Sequence, residues 1–214
     1  MVPTPGMQAR LERKGFEDVR LWSRGVDTEL FTPHRAIEHD LPRPIWVYTG
    51  RVAVEKNLKA FLQLDLPGSK MIIGNGPDLK RLQATFPDVY FAGYRFGKEL
   101  ADYMAGCDVF VFPSRTDTFG IVMLEAMACG LPIAAYPVTG PIDVVAHHVS
   151  GILNEDLETA CMQALRLDRK RCRDVALDHS WQRCTEQFAS LLRSNAPSAK
   201  NRNLTLVKSG VFFF

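Results

Sequence analysis

Short apolar runs recur along the middle of the chain. Ile45–Thr49, Met71–Ile73, Val89–Phe91, Val109–Phe112 and Pro132–Ala135 are apolar at consecutive rather than alternate positions. A strand with one wet face alternates, whereas a strand covered on both faces does not, so this pattern predicts a parallel sheet buried between two layers. Between the runs lie stretches with helical spacing, at Lys56–Leu64, Asp78–Phe86, Gly97–Met104, Phe119–Cys129 and Ile142–His147. Strands alternating with helices of this length imply right-handed crossovers and an α/β fold, a doubly wound parallel sheet of Rossmann-like type. Two helix ends carry clear punctuation. Gly130 and Pro132 stop the stretch Phe119–Cys129, and Pro141 suits the first position of the helix that follows Gly140.

The last third changes character. Glu155–Leu177 is rich in charge and helix formers, and Trp181–Leu192 is amphipathic, with Trp181, Phe188, Leu191 and Leu192 as its apolar positions. From Ser194 the chain has no periodicity, and it closes on Val211-Phe212-Phe213-Phe214. We therefore expect an entry segment over 1–37, the Rossmann-like domain over 38–178, an amphipathic helix over 179–194 and a disordered tail over 195–214. The apolar end of that tail reads as an exposed sticky segment or the product of a shifted reading frame.

Composition removes several classes. Hydrophobic residues make up 46% and charged residues 23%, the balance of an ordinary globular protein. The net charge of +2 is too small for a nucleic-acid binder, which needs a concentrated basic surface. Five dispersed cysteines, Cys107, Cys129, Cys161, Cys172 and Cys184, lack metal-site or disulfide spacing and read as buried thiols. The first residues do not form a signal peptide and no apolar run reaches the ~18 residues of a membrane span, so a cytoplasmic location is expected.

Three stretches carry chemistry. The first runs from Pro113 to Pro132, after a buried strand and into a helix whose first N–H groups would be unpaired, the makings of an anion site in the crevice where open α/β sheets bind ligands. Within it, Glu125 is the one charged residue of an otherwise apolar helix and must find hydrogen-bond donors. A sugar diol would supply two; an Arg or a backbone N–H of the protein is the structural alternative. Asp117 stands before the first turn, where the helix dipole alone would favour it. In the second stretch, Gly50 permits a tight turn after the first strand, and Arg51 and Lys56 would stand where a diphosphate could sit. Two solvated cations are the alternative. The third stretch, Gly74-Asn75-Gly76-Pro77, is either a nucleotide loop or a plain turn.

Taken together, Gly50-Arg51 with Glu55-Lys56-Asn57, then Gly74-Asn75-Gly76-Pro77, then Pro113-Ser114, Phe119-Gly120 and Leu124-Glu125-Ala126 resemble family 4 glycosyltransferases of the GT-B fold, the glycosyl transferases group 1. The resemblance runs from about Val2 to about Leu192 and also takes in Ser23–Asp27 and Phe31–Pro33. It implies the second, nucleotide-sugar-binding half of that fold and a hexosyl transfer with retention from a UDP-, GDP- or ADP-sugar. It further implies that Asp117 meets donor-sugar hydroxyls and Glu125 the ribose, with Arg51 and Lys56 on the diphosphate. Asp117 stands where the family usually has Glu. Gly50, Gly74 and Gly76 would line the donor, and the backbone of Phe119, Gly120, Ile121 and Val122 would hold its sugar and phosphate end. No D-x-D occurs, so no metal is expected. The acceptor half is expected to be missing, with a separate chain as its possible carrier. A lipid acceptor would bring the protein to the inner face of the membrane, and a polysaccharide is the other acceptor class. The rival expectation is a non-catalytic nucleotide-binding module or the relic of a truncated gene.

Overall fold

The computed structural model describes residues 1–192. The polar linker and apolar end assigned above to 195–214 lie outside the described residues. Among the described residues, six parallel strands form one sheet, β1 (Ile45–Thr49), β2 (Ser69–Ile73), β3 (Tyr90–Gly93), β4 (Val109–Phe112), β5 (Ile133–Ala135) and β6 (Gly151–Leu153), in the order β3-β2-β1-β4-β5-β6. From β1 the sheet grows outward to β3, then restarts on the other side of β1 with β4. The reversal leaves a crevice at the carboxyl ends of β1 and β4.

The consecutive apolar runs are explained by two covered faces. Ile45, Val47, Met71, Ile73, Phe110, Phe112, Ile133 and Ala135 pack on one side with α4 (Gly97–Ala105), α5 (Ile121–Ala128) and α8 (Arg169–Leu177). Their alternates Trp46, Tyr48, Ile72, Val109, Val111 and Ala134 pack on the other side with α2 (Leu58–Leu62), α3 (Leu79–Thr85) and α7 (Leu157–Ala164). Every residue of β1, β4 and β5 is buried. All five cysteines are free and buried.

Several boundaries differ from the sequence expectation. The helix expected over Lys56–Leu64 is split, because Asn57 takes a left-handed conformation (φ 53°) between a 3-10 turn at Val54–Lys56 and α2. The stretch Glu155–Leu177 is likewise two helices, α7 and α8, with Asp156 and Asp168 each capping its own N-terminus. The helix expected over Ile142–His147 is a single turn, α6 (Pro141–Val144), ended by the extended Val145. Strand β6 was not foreseen. It has three residues and opens on Gly151, where a Cβ would lie 2.5 Å from the Ile133 carbonyl oxygen.

The first residues are more structured than a bare entry segment. They form α1 (Pro5–Glu12), and the chain from Trp22 to Val26 packs on α9 (Trp181–Leu191). There Trp22 Nε1 donates to the Cys184 carbonyl (3.2 Å), and the Ser23 N–H donates to Gln187 (3.0 Å). Arg173 on α8 donates to the carbonyls of Thr28, Phe31 and Ala128, fixing the loop before β1 to the end of α5. Among the described residues, no helix is long and apolar enough to cross a membrane.

Candidate functional site

The turn after β1 opens on Gly50, whose N–H donates to the Ile73 carbonyl (3.0 Å). The Val52 N–H donates to the Asn75 carbonyl (2.9 Å), and the Val52 carbonyl accepts from Asp78 N–H (3.1 Å). The loop after β2 thus grips the loop after β1 backbone to backbone. That contact requires glycine. A Cβ on Gly74 would fall 1.9 Å from the Gly50 oxygen, and one on Gly76 would fall 2.1 Å from the Val52 oxygen. Gly74 also lines a cavity, whereas Gly76 lines neither of the two described below.

On the β4 side, Gly120 occupies the left-handed region (φ 78°) at the N-cap of α5. Among the described residues, the N–H groups of Gly120, Ile121 and Val122 have no partner. Three free donors and the positive end of an eight-residue helix therefore face the crevice. The alternating strand-to-helix sequence around Phe119-Gly120 pointed to this helix start.

The two sides meet through charge. Lys56 Nζ lies 2.9 Å from Asp117 Oδ2 across the crevice, and both side chains are largely covered. Asp117 Oδ1 accepts the Phe119 N–H (3.2 Å), so the carboxylate both caps the approach to α5 and holds the lysine. Lys56 is aimed there by Asn57, whose Nδ2 donates to the Pro113 carbonyl (3.1 Å) at the end of β4. Among the described residues, the Arg51 side chain, 67% exposed, makes only a 3.7 Å contact with Glu55, which leaves its guanidinium available.

Two cavities open here. One, of about 410 Å³, is bordered by Arg51, Lys56, Asp117 and the residues from Phe119 to Val122, with Arg24 at its edge. The other, of about 570 Å³, is more apolar and holds Gly74, Phe31, Tyr94, Phe96 and Glu125. They share Thr49, Gly50, Arg51 and Val122 and so form one elongated cleft. Tyr94 and Phe96 are exposed at its apolar end, with ring centroids 6.0 Å apart.

Glu125 stands in that end without a hydrogen-bond or ion-pair partner among the described residues, and burial pushes its pKa up to about 7. The structural alternative raised from the sequence, an Arg or backbone N–H of the protein, is therefore not there. The Thr49 hydroxyl, between the two cavities, is also buried and has no hydrogen-bond partner among the described residues. Sequence reasoning gave no site role to Thr49, Asn57, Arg24 or the Tyr94–Phe96 pair, although Asn57 and Arg24 stand within the stretches that carry the resemblance. Among the described residues, no group of three or more His, Cys, Asp or Glu is placed to hold a metal ion.

The profile of the family described as glycosyl transferases group 1 matches residues 43–167, which spans the sheet from β1 to β6 and reaches the end of α7. A GDP-mannose-dependent alpha-mannosyltransferase of Mycobacterium tuberculosis (strain CDC 1551 / Oshkosh) is 37% identical over 161 residues, covering 72% of this chain and 43% of the relative. A sulfoquinovosyl transferase of Arabidopsis thaliana is 37% identical over 147 residues, covering 62% of this chain and 29% of the relative. The chain thus spans less than half the length of either relative. Among solved structures, a sucrose-phosphate synthase from Thermosynechococcus elongatus superposes with a TM-score of 0.74 at 25% identity, covering 89% of this chain and 56% of that one. Anabaena HepE in complex with UDP gives 0.71 at 18% identity, covering 88% and 62%, a likeness of fold.

Proposed function

This chain belongs to the glycosyl transferases group 1 family, and on that premise we propose that its β1/β4 cleft binds a sugar-nucleotide donor for transfer with retention. The observation that carries the proposal is the cleft itself, which joins a cationic end with free helix donors to an apolar end with an unpaired acid. The nucleoside lies in the larger cavity, its base against Tyr94 and Phe96 and its ribose diol on Glu125. The diphosphate lies across the Gly50–Arg51 turn, and the sugar reaches Asp117.

Breaking the bond to the sugar loads negative charge on the departing diphosphate. Lys56, Arg51 and the N–H groups of Gly120, Ile121 and Val122 meet that charge with donors already in place, which is where preorganisation lowers a barrier. Lys56 is held ready by Asp117 and trades a carboxylate partner for a phosphate one without crossing the cleft. Asp117, relieved of the lysine, accepts sugar hydroxyls. We assign charge neutralisation to these groups rather than to a metal. The described residues serve as the donor lobe, and the acceptor, a lipid or a polysaccharide, is left to a second lobe on the same or a separate polypeptide.

The test is calorimetric titration of the full chain with UDP, GDP and ADP, repeated on Arg51→Ala. One nucleotide should saturate, which names the base, and the substitution should weaken it about tenfold, or about 1.4 kcal/mol. No saturable binding of any of the three would overturn the reading. Names of related proteins include both GDP-mannose and UDP, so the titration decides between bases that the family accommodates.

A further inference from the structure

The ring of Tyr48 belongs to the core and needs no functional explanation. It is 1% exposed and packs in the layer of α2 and α7, where a phenylalanine would fill the same space. The hydroxyl is a different matter. It donates to the carbonyl oxygen of Arg51 at 3.0 Å. A Cβ on Gly50 would lie 2.9 Å from it, so the hydroxyl stands close against the turn. Burial foremost, then the charges of Asp117 and Glu55, push the phenol well above its ordinary pKa, and its proton stays available for donation.

The turn is therefore held from two directions. Ile73 and Asn75 accept its N–H groups at Gly50 and Val52, and Tyr48 takes the carbonyl between them. Without the hydroxyl, the Arg51 peptide keeps neighbours on one side only. Its side chain is exposed and, among the described residues, meets only Glu55 at 3.7 Å, so little else orients it.

We propose that Tyr48 is a positioning residue for the diphosphate, its hydroxyl fixing the Arg51 peptide and with it the direction of the Arg51 side chain, so that the guanidinium meets the phosphates already ordered. The inference rests on the donor reading above. Ordering a loop on binding costs affinity, and a hydrogen bond made beforehand removes that cost. The effect is specific to ligand phosphates, because the base and ribose are held elsewhere in the cleft.

Tyr48→Phe removes the hydroxyl and keeps the ring. In the full chain it should weaken the nucleoside diphosphate that saturates the wild type about tenfold, while the matching nucleoside without phosphates binds within about twofold of wild type. In an Arg51→Ala background the same change should have little effect, because the group it positions is gone. Equal weakening of nucleoside and diphosphate, or full additivity with Arg51→Ala, would mark Tyr48 as a general support of the fold and overturn the proposal. A thermal melt of each variant checks that the comparison is between folded proteins. Absence of diphosphate binding by the wild type is a separate outcome; it overturns the donor reading, and this proposal falls with it.

Discussion

Gly74→Ala should abolish nucleoside diphosphate binding within any practical titration, a loss of 100-fold or more, and lower stability by about 2–4 kcal/mol. Two costs combine. The residue sits at φ 152°, outside the comfortable range of an L side chain, and such strain costs about 1–3 kcal/mol. The larger cost is collision, because the new methyl would stand 1.9 Å from the Gly50 oxygen, with the Gly50 carbonyl carbon at 3.0 Å. Those are backbone atoms of the turn that carries Arg51, so the clash is relieved only by moving that turn. Losing one or two of the charge-assisted bonds that the displaced turn would make, at about 1.5–3 kcal/mol each, costs on the order of 100-fold in affinity.

Gly15→Ala separates the two costs. Gly15 also has a positive φ, 85°, yet among the described residues nothing beyond its chain neighbours lies within 4 Å of its would-be Cβ. That variant should lose only about 1 kcal/mol by thermal melt and bind nucleotide as the wild type does. Equal losses of binding in both variants would show that the two loops are not coupled through Gly74.

The contrast also explains how much of the site was legible in the sequence. Consecutive apolar runs gave away the covered sheet, because β1, β4 and β5 are buried at every position. The charged and glycine positions stood at strand ends, and the topology brought Lys56 and Asp117 together although they lie 61 residues apart. What stayed hidden depends on neighbours far along the chain. In the sequence, Gly74-Asn75-Gly76 reads equally as a turn or a ligand loop. Only the approach of Gly50 and Val52 shows that these glycines make room for backbone. Asn57 looks like a helix residue until its side chain is seen on the Pro113 carbonyl. Strand β6 escaped because it opens on a glycine and only two apolar residues, Ile152 and Leu153, follow. The isolated acid in an apolar helix was visible, but its lack of a protein partner was not.

That lack makes nucleotide affinity depend on pH near neutrality. Burial pushes the pKa of Glu125 up to about 7, so the free protein holds a proton there at pH 6 that it has mostly lost at pH 8. A ribose diol offers donors, which favour the carboxylate, so binding should expel that proton. With a free pKa near 7, only about a tenth of the protein is binding-competent at pH 6. The apparent affinity should therefore be about tenfold weaker at pH 6 than at pH 8. Titrations in buffers of different ionisation enthalpy should show net proton release near pH 7. Glu125→Gln should abolish the release and weaken binding roughly 100-fold, since charge-assisted bonds are worth about 1.5–3 kcal/mol each.

Stability gives an independent reading of the same group. Its folded pKa lies above the ordinary 4.5, so the folded state holds more protons between those two values. Stability should then fall as pH rises from about 4.5 to about 7 and level off beyond. Glu125→Gln should flatten that slope and leave the variant more stable than the wild type at pH 8, even though it binds nucleotide worse. A variant that keeps the wild-type slope would place the titrating group elsewhere, and one that keeps wild-type binding would remove Glu125 from the ribose.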